Sequence, residues 1–378
     1  MTQSLEITQG VPLLDIEAHH APLRDDIRRA LERVLDSHQF ILGPEVTAFE
    51  AEVGRFVGVQ HAIGVSSGTD ALLAALMALD VGHGDEVITT PYSFFATAGV
   101  IARLGAKPVF VDIDPYTFNL RTDQIESRIT TRTKAIVPVH LFGRMVPMDD
   151  ILALSAASGV RVVEDAAQAI GSFDKKGRRA GAVGDIGCFS FFPSKNLGAV
   201  GDAGLITTND DELANRLRTL RVHGSKPKYF HHVVGGNFRL DAIQAAVLRV
   251  KLPFLANWTG MRRDNAARYR ELFAKSPTLA SVLLPKDEAG HVYNQFVIRH
   301  ARRDSIQSAL RDRGVGCEVY YPRPLHLQEC FAGLGYGEGD FPFAEEASRE
   351  SLAIPIYPEL SASQQLCVVA CIEQVLGS

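Results

Sequence analysis

Residues 62–79 read AIGVSSGTDALLAALMAL: a short apolar run with β-branched residues, a polar turn with one glycine, then an apolar stretch of about three helical turns. The pattern predicts a strand, a tight turn and a helix that starts at once. Outward from there the alternation continues from about residue 60 to 210. The strand-like runs EVITT (86–90), KPVFVDI (107–113), KAIVPVHL (134–141), VRVVEDA (160–166), GCFSFF (187–192) and GLITT (204–208) are interleaved with helix-like TAGVIARLGA (97–106) and MDDILALSAASG (148–159). Strands alternating with helices predict a mostly parallel sheet covered on both faces, the α/β class.

Further helices are predicted at 210–221, 239–251 and 262–275. Beyond about residue 290, VYNQFVIRH, the helix-like SIQSALRDRG, the segment CEVYYP and a closing helix from Ser361 predict a smaller α+β unit. The expected division is a large domain over 1–250 and a small C-terminal domain over 251–378, with the helix-like APLRDDIRRALERVLDS (21–37) packed on the main body. A chain of 378 residues, 46% hydrophobic and 22% charged, has material for cores in both.

Composition also narrows function. The formal charge of -5 is spread along the chain without basic blocks, so nucleic acid is not an expected partner. No apolar run reaches the roughly 20 residues that span a bilayer, and acidic residues stand where a signal peptide needs a basic start. The expected location is the cytoplasm. Five scattered cysteines form neither a disulfide framework nor a zinc spacing, and Cys367 and Cys371 read as helix packing. The twelve histidines give no HExxH pair, and no catalytic metal is expected.

Three segments carry chemistry. Ser66-Ser67-Gly68-Thr69-Asp70 opens a helix, where backbone N–H groups without intrahelical partners can hold a phosphate; a plain N-cap with a glycine turn is the alternative. Asp165 ends an apolar strand, where ligands gather in open parallel sheets, and a carboxylate there can keep a pyridine ring protonated. Its alternative is a helix N-cap with Gln168 as a capping-box partner. GDIGCFSFFPSKNLGAVGDAG (184–204) sets Ser190, Ser194 and Lys195 at a turn between apolar and glycine-rich flanks. Desolvation there lowers a lysine pKa and frees the amine for Schiff-base chemistry.

SSGTDAL, PYSFFAT, VVEDAAQAIGS, GDIGCFSFFPSKNLGAVGDAG and GGNFRLDAIQAA resemble the DegT/DnrJ family of sugar aminotransferases, fold-type I enzymes dependent on pyridoxal 5'-phosphate. The resemblance runs from FILGPEV near Phe40 to YYPRPLH ending at His326. It implies that Lys195 carries the cofactor as a Schiff base and moves the α-proton, and that Asp165 pairs with the pyridine nitrogen. Gln168 would face the phenolic oxygen, Gly68, Thr69 and Ser190 would hold the phosphate, and Phe94 would stack on the ring. Asn237 would reach the phosphate of the neighbouring subunit, implying a homodimer with shared active sites.

The resemblance further implies glutamate as amino donor and a nucleotide-diphosphate-linked keto-hexose as acceptor. The basic, glycine-bounded loop His223–His232 suits a mobile cover over a pyrophosphate; a solvated surface loop is the alternative. Lys228, Tyr229, Tyr321 and His326 are the expected sugar-nucleotide contacts, and Arg239 is either a donor-carboxylate ligand or structural. YFHH ahead of GGNFRLD resembles members that aminate carbon 3 more than those that aminate carbon 4. Related dehydratases carry histidine in place of the lysine, which Lys195 argues against. A regulatory protein that binds cofactor or sugar without turnover is the reading from a different class.

Overall fold

In the computed structural model, which describes residues 10–377, the alternation read from residue 62 becomes a seven-stranded sheet. Strands β1 (His61–Val65), β2 (Glu86–Thr89), β3 (Lys107–Phe110), β4 (Thr133–Ile136), β5 (Arg161–Asp165), β6 (Ile186–Ser190) and β7 (Gly204–Thr208) stand in the order β1-β7-β6-β5-β4-β2-β3. β7 is antiparallel to β1 and β6, and every other neighbouring pair is parallel. Two reversals restore direction, so β1 points the same way as β6. The carboxyl ends of β1, β2, β5 and β6, at Val65, Thr89, Asp165 and Ser190, therefore share one edge.

Side chains alternate between the faces of a strand, and both faces here are apolar. Ile88, Ile136, Val162, Phe189 and Leu205 join one core cluster, while their neighbours Val87, Ala135, Val163, Cys188 and Ile206 join the other. The chain opens with α1 (Ile16–His20) and α2 (Arg24–Ser37), and α2 packs on α8 (Ala242–Lys251). The first cluster takes in α3 (Pro44–Val57) and Ile151 of α6 (Met148–Ser158). The second takes in α4 (Gly68–Ala78), α5 (Ala96–Arg103) and α7 (Asp211–Leu220). α4 lies between the sheet and these two helices, which is why it has no polar face.

The helix predicted at 239–251 starts later, at Ala242, because Arg239 bridges Val65 and Asp241 bridges Ile41. The helix predicted at 262–275 starts earlier, as α9 (Leu255–Ala274). Farther on, β8 (Phe296–Arg299) pairs antiparallel with β9 (Ser351–Ile354) beside α10 (Arg303–Asp312), α11 (Pro342–Glu350) and α12 (Ala362–Gly377). Tyr269, Phe296, Ile306, Leu310, Ile354 and Val368 share a separate core there. Val11 belongs to that core too, held between the backbones of Gly314 and Gly316. CEVYYP forms no strand and pairs only through a bridge from Glu318 to Ala353. Among the described residues no helix is long and apolar enough to cross a membrane.

Candidate active site

The shared edge of the sheet opens into a cavity of about 430 Å³. Gly68, Thr69, Phe94, Asp165, Gln168, Ser190, Lys195 and Tyr321 all line it. Ser93, Asp202, Gln295 and Tyr320 line it as well.

At the end of β1, Ser67 caps α4 by accepting from the N–H of Asp70 at 3.0 Å, and Ser66 donates to the Asp70 carboxylate at 2.6 Å. The first N–H groups of α4 have no acceptor within the helix, and Gly68 and Thr69, which carry two of them, line the cavity. A Cβ on Gly68 would lie 2.7 Å from the Cβ of Ser190, so the turn can approach the end of β6 only with glycine at this position. This strand, turn and helix make a cradle for a phosphate.

Lys195 rides on the loop that leaves β6. Its N–H donates to the Phe192 carbonyl at 2.8 Å, and Ala199 N–H closes the loop on the Phe191 carbonyl at 2.8 Å. Asn196 ties it to the Val292 carbonyl at 3.0 Å. Gly198 permits the fold-back, since a Cβ there would sit 2.3 Å from the Pro193 carbonyl oxygen. The amine lies in a largely apolar recess, and burial lowers its pKa to about 8 against a weaker opposing pull from Asp165.

Asp165 is 5% exposed, and its carboxylate accepts two hydrogen bonds: from the Thr97 hydroxyl to Oδ2 at 2.8 Å and from Ala167 N–H to Oδ1 at 3.2 Å. Burial outweighs these donors and the nearby Lys195, so its pKa is raised. The capping-box alternative fails, because residues 166–171 form turns and not a helix. Gln168 instead accepts from Phe142 N–H at 2.7 Å and donates through Nε2 to the Tyr321 hydroxyl at 3.3 Å. The Phe142 N–H fixes the amide, leaving its NH₂ toward the cavity. Burial pushes the Tyr321 phenol far above its ordinary pKa, so it stays protonated. Phe94, 59% exposed, stands 6.5 Å from the Tyr321 ring.

Four of the expected site residues lie elsewhere in this chain. Lys228 and Tyr229 border a separate hollow with His223, His231 and Arg239. Asn237 is exposed and bridges Val222. His326 is 1% exposed, edge-on to Phe341 at 4.8 Å, with Nε2 3.2 Å from Glu345. Packed there, its imidazole is not among the cavity-lining residues.

The sequence reading passed over Ser93 and Thr97. Both stand in PYSFFAT, Ser93 in the bend before α5 and Thr97 in its first turn, with their hydroxyl oxygens 3.0 Å apart. Among the described residues no group of three or more His, Cys, Asp or Glu could hold a metal ion.

A cavity that sets a phosphate cradle, a low-pKa lysine, a buried carboxylate and an exposed aromatic face around one volume fits pyridoxal 5'-phosphate in both size and chemistry. The model of the DegT/DnrJ/EryC1/StrS aminotransferase family matches residues 22–373. The chain is 51% identical over 362 residues to a protein of Geobacillus stearothermophilus named pleiotropic regulatory protein, covering 95% of this chain and 97% of the relative. It is 45% identical over 369 residues to a UDP-N-acetyl-3-dehydro-alpha-D-glucosamine 3-aminotransferase of Acidithiobacillus ferrooxidans, covering 97% and 98%. Among solved structures, DesV of S. venezuelae in complex with a ketimine intermediate superposes with a TM-score of 0.94 at 41% identity, over 98% of this chain and 100% of that one.

Proposed function

The chain belongs to the DegT/DnrJ/EryC1/StrS aminotransferase family, and from that premise we propose that it moves the amino group of glutamate onto the carbon-3 ketone of a nucleotide-diphosphate-linked hexose. Its cofactor is pyridoxal 5'-phosphate. The observation that carries the reading is the meeting of Lys195, Asp165 and the Gly68 turn in one cavity. Carbon 3 follows the 3-amino transfer named for the Acidithiobacillus relative, in line with the YFHH segment at 229–232.

When bound, the cofactor supplies a protonated, conjugated ring that takes up the electron pair left when a proton leaves the α-carbon. The chain's residues divide the remaining work. Lys195, its pKa lowered by burial to about 8, gives up its proton far more readily than an ordinary lysine and carries the proton between carbon centres. Asp165 presents negative charge to the ring nitrogen, and the N–H groups of Gly68 and Thr69 with the Ser190 hydroxyl bind the phosphate. Gln168 donates to the phenolic oxygen, Phe94 covers the ring, and the protonated Tyr321 donates to substrate.

Lys228, Tyr229 and Asn237 serve the site of a second copy. The chain leaves Phe94, Phe192, Val200, Tyr229, Phe230 and Val234 at least 45% exposed, near this cavity and on the outlying loop, an apolar surface of the kind a homodimer covers. The expected division at residue 250 and a cytoplasmic location belong to the same reading.

The test begins by converting the enzyme to its aminated cofactor form with glutamate. A panel of nucleotide-linked 3-keto and 4-keto hexoses is then offered while absorbance reports return of the aldehyde form. Recovery with 3-keto sugars is expected; recovery only with 4-keto sugars moves the reaction to carbon 4. The name of the Geobacillus relative favours a regulatory reading, under which glutamate leaves the absorbance unchanged. Shared sites are tested by mixing two inactive variants, Lys195→Ala and Asn237→Asp. The mixed dimer rebuilds one site, and about a quarter of wild-type activity is expected from random pairing. No recovery after confirmed subunit exchange refutes the sharing.

A further inference from the structure

Along one wall of the cavity, three buried oxygen groups form a chain. Ser93, Thr97 and Asp165 are 4%, 1% and 5% exposed. The Thr97 hydroxyl lies 2.8 Å from Asp165 Oδ2, and Ser93 Oγ lies 3.0 Å from Thr97 Oγ1. An ionised carboxylate only accepts, so the single Thr97 proton points at Asp165. Ser93 must then donate to Thr97, and the chain has one direction.

Two features make this more than a satisfied hydroxyl. Among the described residues the only other hydrogen bond to the Asp165 carboxylate comes from Ala167 N–H at 3.2 Å, on the opposite oxygen, so Thr97 is the shorter of two contacts fixing the carboxylate plane. Thr97 and Asp165 are also far apart in sequence. The first turn of α5, just after β2, delivers the hydroxyl to the end of β5 two strands away. We propose that Thr97, oriented by Ser93, is a positioning residue that holds the Asp165 carboxylate as an anion turned toward the cofactor's ring nitrogen. The proposal rests on the reading of Asp165 as partner of that nitrogen.

Between Asp165 and the ring nitrogen a single proton is shared. A donor on the far side of the carboxylate stabilises its charge and so favours the proton on nitrogen. Without that donor the proton moves to the carboxylate, leaving a neutral pair and a poorer electron sink. Cofactor can still bind through the phosphate cradle.

The test uses holoenzyme loaded with pyridoxal 5'-phosphate labelled with ¹⁵N in the ring. Wild type is expected to give the resonance of a protonated pyridine, Thr97→Val to move it toward the unprotonated position, and Thr97→Ser to restore it. The single-turnover rate with glutamate should fall about ten- to a hundred-fold in Thr97→Val, as for loss of a hydrogen bond to a charged group, while KM changes less than about threefold. Ser93→Ala should shift both readouts in the same direction by less. If Thr97→Val does not fold, Thr97→Ala removes the donor without placing a methyl against the carboxylate and runs the same comparison. A folded variant that keeps the protonated resonance and its rate overturns the proposal. An unprotonated nitrogen already in wild type overturns the underlying reading of Asp165, so the two failures are distinguishable.

Discussion

Glu164 and Asp165 are consecutive buried carboxylates at the end of β5, and their pKa values are shifted in opposite directions. Glu164, on one face, accepts from Val183 and Gly184 N–H on Oε1, at 2.7 and 2.6 Å, and from His140 Nε2 and Gly181 N–H on Oε2, at 2.8 and 2.9 Å. His140 Nδ1 accepts from Val146 N–H, which assigns the ring proton to Nε2. Burial alone would raise the Glu164 pKa, but these donors and His140 reverse it, and it is lowered. Asp165, on the other face, has two donors against the same burial, and its pKa is raised. The difference teaches how to tell a structural from a functional carboxylate. The first is saturated by its own chain, whereas the second is left with fewer donors on a cavity wall, where it is accessible to a ligand.

Exchanging the two roles gives the largest effect. Asp165→Ala should cut the single-turnover rate with glutamate by several orders of magnitude, because the ring nitrogen loses its counter-charge. Its apoprotein should unfold at nearly the wild-type denaturant midpoint. A near-normal rate would reduce Asp165 to a turn former. Glu164→Ala should do the reverse, costing about 3–5 kcal/mol in denaturant unfolding of the apoprotein, because His140 and three backbone N–H groups lose their acceptor. An unfolding curve that overlays wild type breaks the contrast.

The two should also part in acid. Glu164, lowered, contributes stability that is lost as pH falls through its folded pKa, while Asp165, raised, contributes stability that is lost as pH rises through its own. Deleting each should therefore displace the acid limb of apoprotein stability in opposite directions, read by denaturant midpoints across pH 3 to 7.

Lys195 sharpens the contrast at the alkaline end. With its folded pKa near 8 and an ordinary value of 10.5, the unfolded chain holds the proton longer, so apoprotein stability should rise with pH across that window. Burial brings Lys251 to about 8 as well, so the Lys195 share is the difference between wild type and Lys195→Met. Labelling of the apoenzyme amine should be half-maximal near pH 8; a midpoint near 10.5 would mean an ordinary lysine. The smallest effect is expected from Gly68→Ala, whose Cβ meets Ser190 at 2.7 Å. Overpacking of about 1–3 kcal/mol should weaken cofactor binding roughly ten- to a hundred-fold, read by titrating apoenzyme.

Much of this site was legible in the sequence wherever the signal was local. The turn after AIGV, the acidic end of VRVVED and the lysine between glycines are each contiguous, and residue type and neighbours imply what each can do. Thr97 was not legible, because its partner is 68 residues away and nothing in SFFAT says which carboxylate it meets. The surroundings of His326 were not legible either: the resemblance rests on YYPRPLH, whereas Phe341 and Glu345, which pack against it, lie outside the motif.

The sequence by itself determined the strands, most of the helices and the mostly parallel order of the domain, since periods of 2 and 3.6 are written residue by residue in apolar spacing. Only the tertiary structure decided that these ends meet. β7 inserts antiparallel between β1 and β6, which brings the Gly68 turn to the edge that carries Asp165 and Ser190. It also decided which of two adjacent carboxylates is saturated, because the donors to Glu164 arrive from residues 140 and 181–184 and those to Asp165 from 97 and 167. Hydrogen-bond supply and burial are properties of the packed chain, and they set the charge that local sequence only makes available.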